Sequence, residues 1–142
     1  MKELHKYIAY GQGIIWMLCI WLFSLQDLKA QTTVPDPNFA AAIRAACPTC
    51  IDANNRLLAS ATTLTSLDVT NKNITNLTGV VGFASLRTLF CAYNQLTSLP
   101  TLPNSLLQLY CNNNQLTFLP TLPNSLQGLY CSSNQLTSLA TL

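Results

Sequence analysis

The sequence predicts an α/β repeat solenoid, with short parallel strands on a concave face, an extended, polyproline-like convex side and a helical cap at the amino-terminal end. Three observations carry this prediction. Residues 86–142 repeat every twenty positions, the apolar residues in each unit change from alternate to wider spacing, and a stretch ahead of the units has helical periodicity.

The repeat comes first because it organises everything else. Leu86, Leu106 and Leu126 open the units, followed in register by Leu89, Leu109 and Leu129, then Cys91, Cys111 and Cys131. Asn94, Asn114 and Asn134 come next, and the Leu96, Leu99 and Leu102 columns complete the frame L-x-x-L-x-C-x-x-N-x-L-x-x-L-P-x-L-P-x-S. The L-x-C core fits a short strand, whose side chains alternate between faces. Pro100, Pro103, Pro120 and Pro123 fix φ and lack an N–H, so the return side is extended rather than helical. One unit cannot close a core: a buried Leu contributes about 1.5–3 kcal/mol against about 1–2 kcal/mol of entropy for each ordered residue. Stability must come from stacked neighbours.

The Asn column has a structural task in this reading. Where the strand bends into the return arc, backbone groups lose their ladder partners, and an amide that both donates and accepts can satisfy them. Asn94, Asn114 and Asn134 are therefore assigned as a structural ladder rather than a polar binding row.

These columns resemble the leucine-rich repeat family, specifically the short bacterial class with a twenty-residue unit and a Leu-Pro-x-Leu-Pro back. The resemblance covers 64–142, read as about four units with the last incomplete. In the first unit Leu64, Leu67, Val69, Ile74 and Leu77 keep the frame, but the step to Leu86 is twenty-two residues and Lys72 stands where Asn is expected. That unit resembles the longer internalin-like repeat, and Asn71 or Asn73 is the candidate substitute for the missing Asn. The chain stops at a core Leu of an unfinished coil, so it reads as the capped start of an array.

Residues 31–63 are assigned to the cap. Asp36 before Pro37 has the composition of a helix start; Phe39, Ala42, Ile43 and Ala46 follow at helical spacing, and Cys47-Pro48 ends the helix. The segments V-P-D-P-N-F and I-D-A-N-N resemble the amino-terminal part of secreted bacterial repeat proteins that carry a calcium-type loop. Here Arg56 occupies the third ligand position and Leu57 the glycine position, so a plain turn is expected, with no metal.

Residues 1–30 have the three regions of a secretory signal peptide: Lys2, His5 and Lys6, then the apolar run Gly13 to Leu25, then Leu28-Lys29-Ala30. A spanning helix needs about 20 apolar residues, and this run stops at Gln26 and Asp27. The expected location is outside a bacterial cell, either secreted or at the surface, with no membrane span once the leader is removed.

What remains carries Arg44, Arg56, Lys72 and Arg87 against Asp36, Asp52 and Asp68, and no charged side chain after Arg87. A chain this close to neutral, without a basic stripe, is a poor partner for nucleic acid. Acid–base catalysis needs a tuned set of titratable groups; with no His, no Glu and three scattered Asp, no enzyme and no cofactor are expected.

Five cysteines follow the leader. Cys91, Cys111 and Cys131 fall in the inward column, where a Cys acts as a small hydrophobe, and are expected as free thiols. Cys47 and Cys50 form a C-x-x-C pair, which could serve redox chemistry or half of a metal site. A redox Cys is usually activated at a helix start and a metal site needs further ligands, so a cap disulfide is favoured.

Function is expected on the concave face. Phe90, Tyr110 and Tyr130 form an aromatic column there, with Gln108, Asn112 and Tyr93 beside it. Such a strip suits recognition of a protein, peptide or glycan; the rings could equally stack on one another and stabilise the sheet. The chain is thus read as an extracellular interaction or adhesion module, with a structural spacer inside a larger surface protein as the alternative.

Overall fold

The computed structural model describes residues 32–137. The signal-peptide assignment, and the core positions Leu139 and Leu142, lie outside the described residues.

Helix α1 spans Pro37–Ala46, and its start follows from local chemistry. Pro37 supplies a pre-set φ at the first turn, and the Asp36 carboxylate accepts the Phe39 N–H through Oδ1 at 2.9 Å. Phe39, Ala40, Ala42 and Ile43 are buried, whereas Ala46 is exposed; the apolar face includes Ala40 and ends at Ile43, three residues before the Ala46 read from the spacing in the sequence. The helix packs against the first strand, so the cap covers the end of the array.

After α1 the chain turns back on itself. Cys47 and Cys50 are joined by an S–S bond. Asp52 Oδ1 accepts the N–H groups of Asn54 and Arg56, both at 2.8 Å, and Arg44 Nη2 donates to the Asp52 carbonyl and to Asn55 Oδ1. Asp52 Oδ1, the Asp52 carbonyl and Asn55 Oδ1 are thus occupied by the chain's own N–H groups. A short 3-10 segment, Ala59–Thr63, leads into the repeats.

Four strands follow: β1 (Ser66–Asp68), β2 (Thr88–Phe90), β3 (Gln108–Tyr110) and β4 (Gly128–Tyr130). They pair in parallel in the order β1-β2-β3-β4, with Leu67, Leu89, Leu109 and Leu129 in register. The twenty-two-residue first step is absorbed on the return side by a 3-10 turn, Val80–Gly82, entered through Gly79 at φ 105°. That left-handed angle favours glycine, and a side chain there would meet Val34 and the Thr33 carbonyl at 3.0–3.1 Å.

The Leu, Val, Ile and Cys columns form one continuous core with Val34, Phe39 and Ile43 of the cap. Leu86, Leu89, Leu96, Leu106, Leu109 and Leu116 are fully buried, and Leu126, Leu129, Cys131 and Leu136 of the last described unit are partly so. The described residues form an α/β repeat solenoid.

Each Asn of the ladder ties two coils together. Asn114 donates to the carbonyls of Cys111 and Asn112 in its own coil and of Cys91 in the preceding one, and its Oδ1 accepts the Leu96 N–H at 3.1 Å. Asn134 repeats this towards Cys111 and Leu116. Asn94 reaches back to Val69 O and to the N–H groups of Lys72 and Ile74. The first coil therefore has its turn served from the second, which is why Lys72 is tolerated at its own Asn position. Asn71 and Asn73 take a different part, adopting left-handed φ of 54° and 56° at the bend.

Towards the cap, Asp36 performs the equivalent task. Its Oδ2 accepts from Thr75 N, Thr75 Oγ1 and Asn76 N at 2.8–3.1 Å while Oδ1 holds the helix start. Desolvation pushes this carboxyl up, but the hydrogen bonds from Phe39, Thr75 and Asn76 together outweigh it and hold the pKa below its usual value.

Candidate functional site

The outward face of the sheet is built by strand alternation. With Leu67, Leu89, Leu109 and Leu129 turned into the core, the flanking residues Ser66 and Asp68, Thr88 and Phe90, Gln108 and Tyr110, and Gly128 and Tyr130 take the opposite side.

Phe90, Tyr110 and Tyr130 stand side by side and stack. The Phe90 and Tyr110 centroids are 4.6 Å apart at 18°, and those of Tyr110 and Tyr130 are 4.3 Å apart at 2°. Their facing surfaces are thus used within the column, which turns ring edges and hydroxyls outward. The rings lean along the strand: Tyr110 Oη donates to Gln108 Oε1 at 2.8 Å, and Tyr130 lies over Gly128, where an added Cβ would meet the ring at 3.3 Å. Desolvation, followed by the neighbouring Tyr130 hydroxyl, raises the Tyr110 pKa, so Tyr110 stays a neutral phenol at physiological pH.

At the carboxyl-terminal edge of the strands each coil bends through a left-handed residue at the same repeat position: Asn71, Tyr93, Asn113 and Ser133, with φ of 54–55°. Asn tolerates this region and a bulky residue does not. Tyr93 nevertheless occupies it and is 58% exposed, so the ring gains little burial in return. Asn112 is half-buried beside it, and Ala92 is buried.

Inside, Cys91, Cys111 and Cys131 carry free thiols. Burial, then the neighbouring Cys111, pushes the Cys91 pKa well up; burial and then Cys131 push Cys111 up to about 12. Thiols held neutral in this way are packing groups, not nucleophiles.

The three Asp among the described residues stay apart, in the cap junction, the cap turn and on β1. Among the described residues no group of three or more His, Cys, Asp or Glu could hold a metal, and no helix is long and apolar enough to cross a membrane. A feature not flagged by the sequence reading lies at the amino-terminal edge of the strands, where Arg87 lines an open cleft with several hydroxyls. The signal was present, since Arg87 is the last charged residue of the chain.

Residues 84–124 match a family described as Leucine Rich repeats (2 copies). No curated protein gives a significant match to the chain. Among solved structures, the chain is similar to a Shigella effector LRR domain, at 36% identity and a TM-score of 0.54 over 57% of this chain and 36% of that one. It is also similar to a functional domain of InlJ from Listeria monocytogenes, at 35% identity and a TM-score of 0.63 over 76% of this chain and 24% of that one. The chain thus spans between a quarter and just over a third of these two. The InlJ domain is described as including a cysteine ladder; in this chain Cys91, Cys111 and Cys131 occupy one inward position in three successive units.

Proposed function

We propose that the chain is a protein-interaction module of an exported bacterial protein, binding a polypeptide along the outer, concave face of its sheet through Tyr93, Gln108, Tyr110, Asn112, Tyr130 and Phe90. One observation carries this reading. Between the units opening at Leu86 and Leu106, the differences fall at Arg87/Leu107, Thr88/Gln108, Phe90/Tyr110, Ala92/Asn112, Tyr93/Asn113 and Ser98/Phe118, while the return stretch T-L-P-N-S-L is identical at Thr101 and Thr121. Duplicated units have therefore diverged almost wholly on the strand and its edges. A spacer has no use for a changing outward face on a constant frame.

The strain at Tyr93 supports the same reading, because a left-handed, exposed aromatic is a cost that contact with a partner would offset. The stack favours a polypeptide over a glycan: a sugar ring packs on an aromatic face, and four of the six ring faces of this column are turned on one another. The Cys47–Cys50 bond suits an oxidising compartment.

The test is a random-peptide display selection on the native chain, followed by binding of the selected peptides to a face variant carrying Tyr93→Asn, Gln108→Ser and Asn112→Ser. Asn and Ser already occupy the bend and its neighbour in the sister coils, as Asn113, Ser132 and Ser133, so this variant should fold. Affinity is expected to fall at least tenfold; unchanged affinity across all selected peptides would refute the proposal.

A further inference from the structure

At the amino-terminal edge of the strands a cleft of about 550 Å³ opens between the first three coils, lined by Thr63, Thr65, Ser85, Arg87, Ser105 and Leu107 among others. Its hydroxyls are not equivalent. Thr63 donates to the Ser60 carbonyl and Ser105 to the Leu86 carbonyl, whereas the Thr65 and Ser85 hydroxyls have no hydrogen-bond partner among the described residues. Arg87 is exposed, and its guanidinium makes no hydrogen bond or ion pair with the described residues.

Among the described residues no carboxylate answers this charge. Asp36 is buried in the cap junction and Asp52 closes the cap turn. Asp68 stands three residues beyond Thr65 on β1, about 10 Å away at strand rise. The equivalent positions in the following coils are Leu107 and Gln127, so the charge is particular to one coil and not a property of the frame. A guanidinium offers a planar fork of donors that matches a carboxylate in bidentate geometry, and the two uncommitted hydroxyls can add donors around it.

We propose that Arg87, with the Thr65 and Ser85 hydroxyls, is a carboxylate-binding site that anchors an acidic group of the polypeptide on the sheet face, the partner class resting on the function proposed above. Arg87 immediately precedes Thr88 and Leu107 precedes Gln108, so the cleft continues directly into the strand residues of that face. The carboxylate comes from a chain terminus or from an acidic side chain; the chemistry is shared, and the test separates them.

Three N-acetylated hexapeptides of Gly and Ser serve as probes: one with a free carboxyl terminus, one amidated, and one amidated with a central Glu. Amide resonances of the native chain are followed by NMR during titration, with glucuronate as a fourth ligand. Saturable shifts at Thr65, Ser85 and Arg87 are expected in the millimolar range with the free-acid peptide, the Glu peptide or both, but not with the plain amide. Arg87→Gln should weaken them at least tenfold, and Gln127 shows that the frame accepts that side chain. Arg87→Lys should retain only part of the affinity. The face variant should bind these probes as the native chain does, which separates failure of this site from failure of the face. The proposal is overturned if no carboxylate peptide shifts these residues, if the shifts survive Arg87→Gln, if exposed Lys72 shifts equally, or if glucuronate binds more tightly than both carboxylate peptides.

Discussion

The inward and outward sides of the same coil obey different rules. Inward, each position repeats because it has one physical solution: Leu fills the layer, Cys fits beside it, and Asn joins four backbone groups across two coils. Outward, neighbouring coils differ, and one of them places a tyrosine where the backbone favours asparagine. Substitutions on the first side should therefore remove stability, and substitutions on the second should spare or raise it while removing binding.

The largest effect is expected at the ladder. Asn114→Ala leaves the Leu96 N–H buried without its partner and removes one of the two amide donors from each of the Cys91 and Cys111 carbonyls, which keep Asn94 and Asn134, a loss of about 2 kcal/mol, read as a lower midpoint in urea. Asn114→Asp should be destabilised too, because a carboxylate cannot donate to those carbonyls. An unchanged midpoint for both would break the contrast.

The cap junction sharpens it. Asp36 meets only donors, so Asp36→Asn would set an NH2 group against the Thr75 and Asn76 N–H groups or lose them, costing about 2 kcal/mol near neutral pH. The folded pKa of Asp36 lies below its ordinary value. Its contribution is therefore complete above the unfolded pKa of about 4 and disappears as pH falls through the folded pKa. Urea midpoints measured from pH 7 down to pH 2 should show the gap between native and Asp36→Asn proteins closing in acid. A gap that stays constant with pH would contradict this assignment.

Smaller effects are expected elsewhere. Alkylation of the folded protein at pH 8, read by mass spectrometry, should spare Cys91 and Cys111, whose thiols are buried and neutral, and modify the half-buried Cys131 first. Tyr93→Asn should raise stability by about 0.5–1 kcal/mol by relieving the left-handed angle, with a higher melting temperature as the readout.

The frame was legible in the sequence because periodicity reports burial: the Leu register, the strand centres and the helix start at Asp36 are all local patterns. The Asn ladder's columns were visible, but not that each residue reaches into the preceding coil, since that depends on the offset between coils. Ala40 and not Ala46 lies on the buried face of α1, which depends on what the helix packs against and is not revealed by spacing within it. The aromatic column was also plain in the sequence, whereas the stacking that spends its ring faces depends on rotamers. Tyr93 and Arg87 were single residues in a repeat, and their importance came from a backbone angle and an unanswered charge.

Binding and stability of Tyr93→Asn, measured together with a peptide selected on the native chain, test the division between the two sides most directly. The expected result is a higher melting temperature with an affinity reduced at least threefold. A variant that melts higher and binds the peptide as tightly as the native chain would contradict the assignment of this face to recognition.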